Sequence, residues 1–242
     1  MTDQTKNKIK PGKHLHRIFT AVPSSYDIIN HFITLFLDVF WRNKAVRECL
    51  SARPETLMDI CCGTGDMAVT AAKFADYDIQ VTGFDYSQPM LDEAKQKAEK
   101  AGYKITFKHG DVADMPFTEN TFDCLCNGFG FRNLTFKNPD SEKHISEILR
   151  VLKPGGRLVI VESSQPVNGF IRFFHRLYLR YFVFPVGYLI SRNRQAYKYL
   201  AVSIEKYYNA DELKELLLKS GFSEVSYKRL FFGAAAIHVA VK

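Results

Sequence analysis

The sequence predicts an α/β protein: a Rossmann-like, mainly parallel seven-stranded sheet that ends in an antiparallel hairpin, with helices on both faces. Three observations carry this. Between Leu57 and Glu162 short apolar runs alternate with helical segments, the pattern of parallel βαβ units. A glycine turn, Gly63-Thr64-Gly65, follows the first of those runs. The chain then closes on two consecutive β runs, FSEVSYKRL and GAAAIHVAV, whose short FFG link requires an antiparallel pairing.

In chain order, residues 1–23 are polar and basic and are expected to be a mobile segment ahead of a single domain over 24–242. From Ser24 to about Leu50 apolar residues recur at helical spacing (Ile28, Ile29, Phe32, Leu35, Phe36, Val39, Phe40), which predicts one or two helices. Strand candidates follow at 57–61, 79–84, 105–109, 122–127 and 157–162. Helices MAVTAAKFA, PMLDEAKQKAEKAG and PDSEKHISEILRVLKPGG fit between them, the last expected to stop on its Pro-Gly-Gly. Residues 164–206 interrupt the alternation with a helical, aromatic and basic insert, and ADELKELLLKSG is the final helix.

The chain has 242 residues, 46% of them hydrophobic and 14% aromatic, which excludes a disordered protein. Its net charge of +7 favours an anionic partner, a membrane surface or nucleic acid. Five cysteines (Cys49, Cys61, Cys62, Cys124, Cys126) form no metal-ligand spacing, so they are expected to be buried reduced thiols and no metal is expected. The N-terminus lacks the apolar core of a signal peptide, and FVFPVGYLI is too short to span a bilayer. A soluble, cytoplasmic chain is the expectation.

The glycine turn fits a dinucleotide pattern as well as a methyl-donor pattern, and taken alone it separates neither from a merely tight turn. Charge separates the ligands. Asp59 precedes the glycines and Asp66 follows them, which suits the cationic amino-acid end of S-adenosylmethionine rather than a pyrophosphate. Asp85, after strand two, can accept from ribose hydroxyls, and Asp111, after strand three, from an adenine amino group. Acids after three successive parallel strands fall on one edge of the sheet, where open α/β folds bind ligands.

With those residues in place, the chain resembles class I S-adenosylmethionine-dependent methyltransferases, and more narrowly the UbiE/MenG-type ubiquinone/menaquinone C-methyltransferases. The matching pieces are SSYDIIN, FWRNKAV, DICCGTGD, GFDYSQPML, GDVADMPFTENTFD, GFGFRNL, RVLKPGGRLVIVE, YKYLAVSI and GAAAIHVAVK, from about Val22 to Lys242. The sequence departs from the family at Cys61-Cys62, at Glu162-Ser-Ser-Gln-Pro166 and at SRNRQA. The resemblance implies methylation of a ring carbon on a polyprenyl quinol, with menaquinone and ubiquinone types both open. It carries the donor positions Thr64, Asp85, Asp111 and Val112 onto this chain, together with Gly63 and Gly65 of the turn. Tyr86 and Met90 in GFDYSQPML and Asn127 and Gly128 at the end of strand four complete the expected donor contacts.

For catalysis, Arg132 and Asn133 in GFGFRN are the expected pair. A guanidinium does not act as a base, so Arg132 is expected to polarise the quinol oxygen, unless it merely ties strand four to an acid such as Glu162. His238, in the terminal motif, is the expected proton carrier, against a packed strand histidine. Tyr26 is expected to close over the donor, and Tyr197 and Tyr199 to line the quinol pocket, with at most one of that pair facing inward. Between Gly169 and Tyr199 six basic residues and no acid interleave with aromatics. That segment is expected to contact anionic lipid, placing the protein at the inner face of the membrane, or else to cap the substrate. Nucleic acid is not expected as a partner, and a homodimer is compatible with the sequence. A donor-binding module without turnover stays as the alternative from another class.

Overall fold

Seven strands form one sheet in the order β3-β2-β1-β4-β5-β7-β6. The structure, a computed structural model, describes residues 30–191 and 194–242. Helix α1 (Leu37–Leu50) leads into β1 (Thr56–Ile60), α2 (Asp66–Phe74), β2 (Gln80–Asp85), α3 (Gln88–Ala101), β3 (Thr106–His109) and β4 (Phe122–Gly128). After the short α4 (Phe131–Thr135) come α5 (Ser141–Val151) and β5 (Leu152–Ser163). The insert holds α6 (Gly169–Tyr178), a π-helical turn (Leu179–Val183), α7 (Phe184–Ser191) and α8 (Arg194–Lys206). Helix α9 (Ala210–Lys219), β6 (Glu224–Leu230) and β7 (Ala235–Val241) end the chain.

Strands β1 to β5 pair in parallel, and β7 runs antiparallel to both β5 and β6. Period-2 alternation sorts neighbouring residues to opposite faces. Leu57, Cys124, Val159 and Ile237 pack under α1 and α2 with Trp41, Val46, Met67 and Ala71. Met58, Leu125, Leu158 and Ile160 pack under α5 and α9 with Ile145, Ile148, Leu213 and Leu217. Both faces being covered explains why the central strands read as continuous apolar runs. Helix α9 starts on a capping box, Asn209 with Glu212.

One expectation is corrected. Helix α5 does not continue to Pro-Gly-Gly but stops at Val151, and Leu152 is already extended with ψ 138. Lys153 precedes Pro154, and a residue before proline is pushed out of the helical region. Gly155, at φ +74, donates its N–H to the Lys242 carbonyl and turns a strand rather than capping a helix. The N-terminal helical pattern takes the two-helix form: residues 30–33 are helical, then Leu35 and Phe36 adopt φ of 53° and 62° before α1 begins. All five cysteines are free.

The strand order reverses between β1 and β4, so the carboxyl ends of these two strands flank the crevice where such sheets bind ligands. Among the described residues no helix is long and apolar enough to cross a membrane.

Candidate active site

The turn from β1 to α2 is fixed from both sides. Asp59, buried at the end of β1, accepts the Ala68 N–H at 3.1 Å and so places a carboxyl at the start of α2. Burial pushes this carboxyl up to about 8. Gly65 sits at φ +81, and a Cβ there would stand 2.9 Å from the Ala94 Cβ of α3. Only glycine serves both the dihedral and the close approach. Asp85 accepts the Gly63 N–H through one oxygen and the Ser87 N–H through the other, each at 2.8 Å. A carboxylate has about four acceptor sites, so Asp85 keeps capacity for a ligand hydroxyl.

Asp66, at the first position of α2, meets Lys97 Nζ at 2.5 Å and Arg42 Nη1 at 3.3 Å. Burial opposes its ionisation, yet those two cations hold its carboxyl below the ordinary value. Thr64 Oγ1 accepts from Lys97 at 3.2 Å. The Gly110 N–H donates to the Asp85 carbonyl, which brings the β3 exit beside the β2 exit. There Asp111 is half exposed, accepts the Ala113 N–H and lies 3.8 Å from His144, with Val112 buried next to it. Tyr86 is exposed and its ring lies 5.9 Å from that of His109, whereas Met90 is buried. The structure thus gathers the expected acids on one edge of the sheet. Asn127 and Gly128 serve it from behind: Asn127 donates to the Ile60 carbonyl and accepts from Gly130, and the space beside Gly128 is filled by Met67.

Beside this edge lies an apolar cavity of about 370 Å³. Its walls come from the N-terminal helices (Ile33, Asp38, Trp41, Arg42), from Phe129 and Arg132 after β4, from Ser163, from α6, and from Phe231 and Phe232 of the hairpin link. Arg42 belongs to both regions, since it lines the cavity and contacts Asp66. Helices α6 to α8 build a small core of their own with Ile33, Leu179, Val183 and Tyr197.

Arg132 lies on α4, past the end of strand four, and is buried. Its Nη1 donates to Glu162 at 2.9 Å and its backbone N–H donates to the other Glu162 oxygen at 3.0 Å. Its Nε–H is buried without a hydrogen-bond partner among the described residues. The tie to Glu162 is therefore present, and a donor is left over. Asn133 Oδ1 accepts from the Tyr199 hydroxyl at 3.5 Å. Tyr197 is instead buried in the insert's own core, so the two tyrosines diverge as their spacing requires.

His238 is not brought to the cavity. It lies buried on β7, shares a hydrogen bond of 2.9 Å with the Ala210 carbonyl and faces the Tyr227 ring. Burial lowers its imidazole to about 4, which leaves it neutral and unsuited to carrying a proton at neutral pH. Tyr26 lies outside the described residues. The basic residues of the insert are partly spent inside the protein: Arg172 donates to the Pro166 and Val167 carbonyls, and Arg176 meets Glu205 at 3.5 Å. Arg180 falls on the π-helical turn. Sequence reasoning missed Asp38 and His175 and treated Arg42 only as part of a motif; helical spacing alone does not tell that they converge on one cavity.

The comparisons agree with this geometry. Residues 4–242 match the ubiE/COQ5 methyltransferase family. Demethylmenaquinone methyltransferase of Lactobacillus johnsonii is 37% identical over 98% of this chain and 95% of its own. That of Thermus thermophilus is 38% identical over 92% and 98%. A SAM-dependent methyltransferase from Thermotoga maritima, 20% identical, shares the fold with a TM-score of 0.63 over 95% of this chain and 100% of that one. The match over residues 4–242 and these relatives place this chain, with its seven-stranded sheet and antiparallel end, in the ubiE/COQ5 methyltransferase family.

Proposed function

We propose that this protein transfers a methyl group from S-adenosylmethionine to a ring carbon of demethylmenaquinol. One observation carries the acceptor half: the apolar cavity contains a buried guanidinium, Arg132, whose Nε–H has no hydrogen-bond partner among the described residues. The names of the curated relatives support a naphthoquinol ring over a benzoquinol one. When bound, S-adenosylmethionine supplies an electrophilic methyl on a sulfonium. The acids on this edge suit it: Asp85 for the ribose, Asp111 with Val112 for the adenine, and Asp59 and Asp66 for the cationic amino-acid end. Gly63, Thr64 and Gly65 let the ligand approach the backbone, with Tyr86 and Met90 flanking it and Asn127 and Gly128 holding the turn in place.

A guanidinium has only donors to offer, so Arg132 donates to the quinol oxygen and stabilises charge there as the ring carbon becomes nucleophilic. Its pairing with Glu162 fixes the direction of the guanidinium. Asn133 and Tyr199 hydrogen-bond each other and are not among the residues that line the cavity. Enclosure by α6 and α8 excludes water and positions the ring, an effect worth on the order of 10 kcal/mol at best.

The polyprenyl tail leads to the surface around the cavity. Phe170 and Phe232, 73% and 74% exposed, with Phe173, Tyr181 and Leu189, are exposed apolar side chains of the insert and the hairpin link and make up the proposed rim, and Arg194 and Lys198 on α8 are exposed as well. This rim supports peripheral contact with an anionic membrane through residues 169–199, driven more by the aromatics than by the arginines. The test is methyl transfer to chemically reduced short-chain demethylmenaquinol, run beside the demethyl ubiquinone precursor and analysed by mass spectrometry. Methylation of the former is expected; methylation of only the latter would reassign the ring, and of neither would overturn the proposal.

A further inference from the structure

We infer that His175 is the proton acceptor for the acceptor hydroxyl, which rests on the quinol reading above and adds a catalytic residue to it. A phenol-like hydroxyl ionises near a pKa of about 10, so making the ring carbon nucleophilic at neutral pH requires a base in the cavity. The titratable groups lining it are Asp38, Arg42, Arg132, His175 and Tyr178. The two arginines do not accept protons. Asp38 is spent: one oxygen takes Arg42 Nη1 and His31 Nδ1, and the other takes the Thr34 hydroxyl. The Tyr178 hydroxyl donates to the Ile33 carbonyl, and burial raises it above its ordinary value.

His175 differs from all of these. It lies on α6, shares a helix face with Ile171 at i−4 and Tyr178 at i+3, and lines the cavity with both of them and with Phe174. Among the described residues its ring nitrogens make no hydrogen bond. The charged group acting on it is Glu205 on α8, which also meets Arg176; Asp38, Arg42 and Arg132 line the same cavity. Burial lowers the imidazole from its ordinary value and Glu205 opposes this, so at neutral pH the ring is unprotonated and has a lone pair to offer.

The step balances. The proton passes from the hydroxyl oxygen to the unprotonated ring nitrogen of His175, and the O–H electron pair stays on oxygen. After the ring carbon has gained its methyl it loses its own proton to water, the C–H electron pair restores the aromatic ring and returns charge to the oxygen, and the imidazolium gives its proton back to that oxygen. The net change is one proton released per methyl gained. Arg132, donating to the oxyanion, compensates for the gap between a weak base and a weak acid.

The experiment compares the full chain with His175→Gln and His175→Ala, using S-adenosylmethionine and reduced short-chain demethylmenaquinol across about pH 5 to 8. The unmodified protein should lose kcat on the acid side as His175 protonates. His175→Gln should lose about 100-fold in kcat near neutral pH and no longer show that acid limb. Added imidazole should restore part of the activity of His175→Ala. Donor affinity by calorimetry should be unchanged in both variants, which separates a lost base from a lost fold. An unaltered pH profile and kcat in His175→Gln would overturn the assignment while leaving the quinol reading in place. Failure of the unmodified protein to methylate the quinol would overturn both, and differs visibly from a loss confined to the variants.

Discussion

Replacing Glu162 by Gln probes the device that aims Arg132. Glu162, 1% exposed, accepts from the Arg132 backbone N–H, from Arg132 Nη1 and from the Ser163 N–H at 2.8 Å. An amide keeps one acceptor oxygen and turns the other into a donor, so at least one buried N–H faces another N–H. The guanidinium also loses its counter-charge while remaining buried. Breaking a buried pair from one side costs about 3–5 kcal/mol. At about 2–4 °C per kcal/mol for a chain of this size, the melting temperature should fall by roughly 6–20 °C. Urea unfolding of Glu162→Gln, Arg132→Met and the double variant supplies the assay. The two single costs should exceed the double cost by about 1–3 kcal/mol, since the second change removes the group the first one stranded. Methyl transfer should fall in Glu162→Gln with donor affinity retained. A single-variant cost below about 0.5 kcal/mol, with additive behaviour in the double, would refute the claim that this pair is a buried, mutually dependent unit.

Three further outcomes are expected. Gly65→Ala forces an alanine to φ +81 and its Cβ to within 2.9 Å of Ala94, so donor affinity measured by calorimetry should weaken by about tenfold or more. Asp59, raised to about 8, binds more protons in the native than in the unfolded state, so its contribution to stability declines as pH rises from the ordinary carboxylate range towards 8. A cationic donor draws that proton off, so donor affinity should increase with pH up to about 8, with proton release detected in buffers of different ionisation heat and abolished in Asp59→Asn. Phe232→Asp, placed at the most exposed part of the rim, should reduce cosedimentation with anionic vesicles and leave donor binding unchanged.

Much of this was legible because period and charge are local. The five parallel strands show as short apolar runs, with Asp59 and Asp85 at the ends of two of them and Asp111 just after a third, so the clustering of these acids on one sheet edge was legible. Leu152–Gly156 was misread because Pro-Gly-Gly terminates helices as readily as it bends strands, and only pairing with β4 and with Lys242 decides. His238 was misread because a terminal motif says nothing about which face of β7 a side chain takes. Pairing places it with Ala240, in the layer beneath α9, away from the cavity. His175 was invisible for the converse reason: it stands in a run of arginines and aromatics, and its value comes from what α1, α4 and the hairpin link place opposite it. The Arg132 readings looked exclusive in the sequence, but the structure satisfies the tie to Glu162 through Nη1 and the backbone while leaving Nε over.

The most direct measurement uses S-adenosylmethionine isotopically labelled at its methyl carbon, reduced demethylmenaquinol and the purified full chain, with the product read by carbon NMR. The account expects the label as a methyl bonded to a ring carbon, formed from the reduced ring and not from the oxidised quinone. A label found on oxygen, or none transferred although the donor binds, would contradict it.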